Sequence, residues 1–92
     1  MSSSFRFPFG DVRVTTGADA LLREHNVAFV HLLARHLSGD WGQVSADDAL
    51  ANEAAVVDGA RILSSYPVDD QTVWVITDAD RSVTTFLLPS EY

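Results

Sequence analysis

The chain has no cysteine and no lysine among its 92 residues, and only one methionine and three prolines. Without cysteine, disulfide frameworks, thiolate zinc sites and cysteine nucleophiles are excluded, so stability has to come from packing. Without lysine, the positive charge is carried by six arginines against thirteen Asp and Glu, for a formal net charge of −7. Phosphate binding is mainly electrostatic, and a chain of this charge repels nucleic acid unless its arginines gather on one face. They are instead spread along the chain, at Arg6, Arg13, Arg23, Arg35, Arg61 and Arg81. Long apolar runs are also missing. The longest segment free of charged residues covers residues 25–34, well short of the roughly 18 residues that span a bilayer. The start of the chain lacks the apolar stretch of a signal peptide, so a cytoplasmic protein without membrane contact is expected. The HExxH, GxSxG and Gly-rich phosphate-loop patterns are absent, and with them the enzyme classes they mark.

What is present suits one packed domain: 47% hydrophobic and 21% charged residues, in a length that leaves room for a single core. Residues 1–4 are expected to be a disordered start and residues 5–92 a single α+β domain. Phe5, Phe7 and Phe9 alternate, but Pro8 cannot donate to a ladder, which predicts an edge or a draped arm. Val12 and Val14 continue as a short strand. Thr16 is the expected cap of a short helix with Ala18, Leu21 and Leu22 on its apolar side. A second helix over 27–37 carries the stripe Val27, Val30, Leu33, Ala34 and Leu37, ended by Ser38 and Gly39. Ser45 is placed to cap a third helix with Asp47 and Asp48 in its first turn. There Ala46, Leu50, Ala54 and Val57 form a narrow face suited to packing on a sheet, and Gly59 ends the helix.

From Arg61 onward the period changes to two, and residues 62–68, 72–77 and 83–88 read as three strands. The expected fold is therefore an antiparallel sheet of three to four strands, a C-terminal meander, covered on one face by two to three helices. Leu33, Leu50, Leu63, Trp74, Ile76, Phe86 and Leu88 are the expected core. Because the middle strand is apolar on both alternations, its second face is expected to be covered by the N-terminal aromatics or by another copy of the chain.

Candidate chemistry is sparse. His25, His31 and His36 never fall at the i, i+4 spacing of a helical metal pair, and no metal site or cofactor is expected. His36 lies at the edge of the second helix's stripe near Phe29, which predicts a half-buried cation at a helix end; its chemical reading is an acid–base group. The run from Asp78 begins like a calcium loop, but Val83 and Pro89 stand where Gly and Glu are required. Asp78 and Asp80 then read as turn residues. Arg81 is either held by one of those carboxylates or, with Thr84 or Thr85, free to grip a phosphate or carboxylate. Trp41, between Gly39 and Gly42, is a plug over the helix ends or an exposed anchor for a partner.

The motifs GDWG at residues 39–42, RILSSY at 61–66, WVITDADRSVTTFLLP at 74–89, and the final Glu91 and Tyr92 carry a resemblance. Over roughly residues 33–92 the chain resembles a family of small proteins of plasmids and other mobile elements, some labelled as restriction-modification related. A methyltransferase is excluded, since its nucleotide-binding sheet does not fit and its Gly-rich loop is absent. The order of one strand, three helices and a meander is also similar to the small metal-independent ribonucleases of the barnase and RelE-like group. That likeness implies His36 in acid–base chemistry and Arg81 on the scissile phosphate, with Thr84, Thr85 or Tyr92 nearby.

The function expected is a noncatalytic, acidic binding or accessory protein of a mobile element that works through protein–protein contact. Its binding residues would be Trp41, Asp47, Asp48, Asp78 and Asp80. Self-association into a homodimer, through an open sheet face or the aromatic arm, belongs to this expectation. The alternatives are the ribonuclease and an acidic nucleic-acid mimic that inhibits a host defence nuclease.

Overall fold

The computed structural model describes residues 5–92; the start at residues 1–4, expected to be disordered, lies outside the described residues. The fold is α+β. In chain order it comprises β1 (Asp11–Val14), α1 (Thr16–Glu24), α2 (Phe29–Ser38), α3 (Ala46–Asp58), β2 (Ile62–Val68), β3 (Gln71–Thr77), β4 (Val83–Leu87) and a closing 3-10 turn (Pro89–Glu91). The strands lie in the order β1-β4-β3-β2. The meander is antiparallel as expected, and β1 joins it parallel to β4, Val12 beside Thr84 and Val14 beside Phe86. Asp69, in the hairpin between β2 and β3, has a φ of 57°, a conformation Asp tolerates better than most side chains.

Helix ends follow local chemistry. Thr15, one residue earlier than expected, caps α1 by accepting from the Ala18 N–H, and Ser45 caps α3 by accepting from the Asp48 N–H. Gly39 and Gly59 close α2 and α3 in the left-handed conformation.

Two helix faces differ from the sequence expectation. In α2 the buried residues are Leu32, His36 and Leu37, whereas Val30 and Ala34 of the expected stripe face solvent. An apolar stripe counts only apolar residues, and here a histidine with both ring nitrogens bonded belongs to the core. In α3 the whole expected face is outward: Leu50 is 69% and Val57 87% exposed, and Ala46 and Ala54 are exposed with them. Asn52 and Ala55 are buried instead. Leu50 is thus not a core residue.

Asn52 explains that rotation. Its side chain accepts from the Leu63 N–H at 3.2 Å and donates to the Leu63 carbonyl at 2.8 Å, so the inward face of α3 is set by an amide that closes the outer edge of β2. Beyond it the Ser65 N–H donates to the Trp41 carbonyl and the Gln43 N–H to the Ser65 carbonyl. Gly42 makes this approach possible, since a Cβ there would stand 2.1 Å from the Ser65 oxygen. Pro67, next along the edge, has no N–H to satisfy. All of β2's outward N–H groups are therefore matched or missing.

The helix-side core has two clusters. One joins Ala18, Leu21, Leu22 and Leu32 to Tyr66, Val73, Val75 and Phe86, and the other joins Phe7, Leu37, Trp41, Ala55 and Ile62. The aromatic arm thus packs on the helix side through Phe7 and does not cover the second sheet face. That face instead meets the C-terminal turn, whose Tyr92 ring lies edge-on to Trp74 at 5.6 Å. Ile76 and Leu87 on that side are 6% and 7% exposed.

Candidate functional site

The polar residues worth testing as a site lie between the two clusters. Leu32 and His36, one helical turn apart, bring α2 down onto the sheet, and β2, β3 and β4 present Ser64, Thr77 and Thr84 on their inward alternation. All four polar residues are 0% exposed. Their bonding order follows from counting hydrogens. Thr84 donates its one hydroxyl hydrogen to the Phe9 carbonyl at 2.8 Å, so it accepts from Thr77 at 2.7 Å. Thr77 has then used its hydrogen and accepts from His36 Nε2 at 2.9 Å. A neutral imidazole carries one N–H, so Nδ1 accepts from Ser64 Oγ at 2.6 Å. The result is a one-way chain from Ser64 through His36, Thr77 and Thr84 to the arm.

Burial is what pushes the His36 pKa down to about 4, and the positive charge of Arg81 adds to the effect. His36 is therefore neutral at pH 7, not the half-buried cation expected from its position near a helix end. Phe7 stands edge-on over its ring at 5.3 Å and Trp41 approaches at 6.1 Å. Ser64 and His36 form the pair a nucleophile and base would form, but no face of either is open to a substrate.

Arg81 does not pair with Asp78 or Asp80 through their carboxylates. With a φ of 61° it sends its guanidinium to backbone carbonyls: Nη2 donates to Ala55 at 2.8 Å, and Nη1 to Ala60 at 2.7 Å and Asp78 at 3.2 Å. A fixed cation therefore caps the C-terminal, negative end of α3. Asp80 accepts from the N–H and hydroxyl of Ser82, which holds its carboxyl below the usual range.

The remaining candidates disperse. Thr85 lies on the opposite sheet face from Thr84, half-buried. Tyr92 is also on that side, its hydroxyl bonded by Arg61. The set His36, Arg81, Thr84, Thr85 and Tyr92 thus does not converge on one concave surface. Trp41 is 6% exposed and is the plug, not the anchor: it stacks on Phe7, and its indole N–H donates to Glu53 at 3.1 Å. Glu53 also binds Arg6 through both oxygens, which lowers its pKa. Asp47, Asp48, Asp78 and Asp80 are exposed. Asp48 borders a cleft of about 360 Å³ shared with Arg61, Leu63 and Trp74.

Protein-family models, curated proteins and solved structures were compared with this chain, and none matched.

The named residues therefore carry the functional reading. Ser64 and Thr77 were missed in the sequence although a signal existed: Ser64 shares its alternation with Ile62, Tyr66 and Val68, and Thr77 shares one with Val73 and Val75. Among the described residues no group of three or more His, Asp or Glu could hold a metal, and no helix is long and apolar enough to cross a membrane.

Proposed function

We propose that the protein is a noncatalytic binding module that docks a protein partner on the outer face of α3. One observation carries this reading: α3 is apolar on both sides, with Ala55 and Val56 against its own fold and Ala46, Leu50, Ala54 and Val57 toward solvent. A contiguous apolar stripe rimmed by polar residues and left facing solvent marks an interaction surface, and α3 is covered by its own fold only on the opposite side. Asp47 and Asp58 flank the outer stripe and are exposed, so the complementary partner surface is apolar with a basic margin. The sealed His36 chain, with no open acid–base group, supports the noncatalytic reading over the ribonuclease. A role as an accessory protein of a mobile element rests on the GDWG, RILSSY and WVITDADRSVTTFLLP resemblance.

The test is affinity capture with the intact chain and with a Leu50→Asp, Val57→Asp variant. Both positions are outward, so thermal unfolding should change little while the captured partner is lost. Metal-independent RNA cleavage by the wild type, abolished in His36→Ala, would overturn the proposal.

A further inference from the structure

The two edges of the sheet are treated very differently. On β2 every outward N–H is matched by Asn52 or Trp41 or removed by Pro67. On β1 the Asp11 N–H donates to Ser82 and the Thr15 N–H to Phe86, and in the parallel register the Arg13 N–H turns to β4 between them. The N–H and C=O groups of Val12 and Val14 consequently point away from the sheet. Among the described residues they make no hydrogen bond to backbone or side chain. Natural proteins usually blunt such an edge, and an open one is a template for another strand.

The charges beside Val12 select the occupant. Asp11 and Arg13 are both exposed and both project from the sheet face away from the helices. Arg6, Arg23 and Arg35 each have a carboxylate partner, whereas Arg13 has none among the described residues. Two copies related by a two-fold axis pair their edges antiparallel. With the axis at Val12, the Val12 residues exchange two main-chain hydrogen bonds, and Asp11 of each copy falls directly opposite Arg13 of the other. That is a non-hydrogen-bonded pair, in which side chains approach most closely and opposite charges are favoured. With the axis at Arg13 the two guanidinium groups would face each other, a like-charge pair that is disfavoured.

We infer that the open edge of β1 is a self-pairing interface, on which two copies of the chain join antiparallel about Val12 and extend the sheet from four strands to eight. The α3 face lies at the other end of each sheet, so this interface is independent of the partner proposed above.

Charge exchange provides the test. Sedimentation equilibrium of the intact chain at low salt is expected to show a dimer with a dissociation constant on the order of 10–100 micromolar. Asp11→Arg and Arg13→Asp should each weaken it at least about tenfold. Mixed one to one, these two variants should form a heterodimer, because both facing pairs are then of opposite sign. In the wild type the Val12 amide should gain protection from hydrogen exchange as concentration rises, while the Arg13 amide, already bonded to β4, stays constant. That readout needs no variant to fold.

A chain still monomeric at about 1 millimolar would overturn the inference, as would a dimer insensitive to either reversal or a mixture that fails to associate. A dimer tightened by Arg13→Asn would place the axis at Arg13 and overturn the proposed register.

Discussion

His36 donates its Nε2 hydrogen to Thr77 Oγ1 at 2.9 Å, so that α2 is tied to the middle strand of the sheet by a histidine with no exposed surface. Buried polar groups of this kind are costly when one partner is removed, because those left behind have been taken out of water. The same bond fixes the imidazole tautomer and, through Thr84 and the Phe9 carbonyl, the path of the N-terminal arm.

Removing the ring should show this cost directly. His36→Ala is expected to lose about 3–5 kcal/mol, combining a cavity with stranded hydroxyls. His36→Leu keeps most of the volume and should lose about 1–3 kcal/mol, and adding Ser64→Ala should recover part of that, because the stranded hydroxyl goes with it. Urea unfolding of the three variants provides the measurement.

The pH dependence follows from the His36 shift. The folded pKa of about 4 lies below the ordinary value of 6.5, so between those values the unfolded chain binds a proton that the folded chain does not. Stability on this account is full above pH 6.5 and falls as the pH drops toward 4, by on the order of 3 kcal/mol in all. Unfolding midpoints measured from pH 7 to 4 should decline in the wild type, and the decline over this window should be much smaller in His36→Leu.

Asn52 is expected to matter more than its place on a surface helix suggests. Asn52→Ala leaves the Leu63 N–H and C=O without their partner and should cost about 1–3 kcal/mol. It also opens the β2 edge, so light scattering should report faster aggregation than for the wild type.

Arg81 tests the helix-capping role against the phosphate-binding one. Arg81→Lys keeps the charge but loses the fork that reaches Ala55 and Ala60 together, and should lose about 1 kcal/mol of stability. A variant with unchanged stability but weakened affinity for a polyanion would favour the phosphate-binding role.

Much of the fold was legible because it is local. Ser45 before Asp47 and Asp48, Gly39 and Gly59 after their helices, and the alternation from Arg61 onward each depend on a few neighbouring residues and on backbone geometry. The α+β class and the C-terminal meander followed from these. The faces were less legible. Periodicity located an apolar stripe on α3, but it could not show that Asn52, an amide, would turn that stripe outward by closing β2. The candidate site failed for a related reason. Sequence spacing placed His36 and Arg81 as chemistry, whereas hydroxyls from β2 and β3 and the Phe7 and Trp41 rings enclose the histidine, and a helix end takes the guanidinium.

By itself, then, the sequence determined the Ser45 cap of α3, the glycine ends of α2 and α3, the two-residue period of the meander and the excess of acid over base, since each is set by residue type and near neighbours. Only the tertiary structure decided that β1 would lie parallel beside β4, which sheet edge would be closed and which left open, and that His36 would be a neutral core residue. Those outcomes depend on groups far apart in the chain satisfying one another's hydrogen bonds in a space closed to water, and no local pattern encodes such a match.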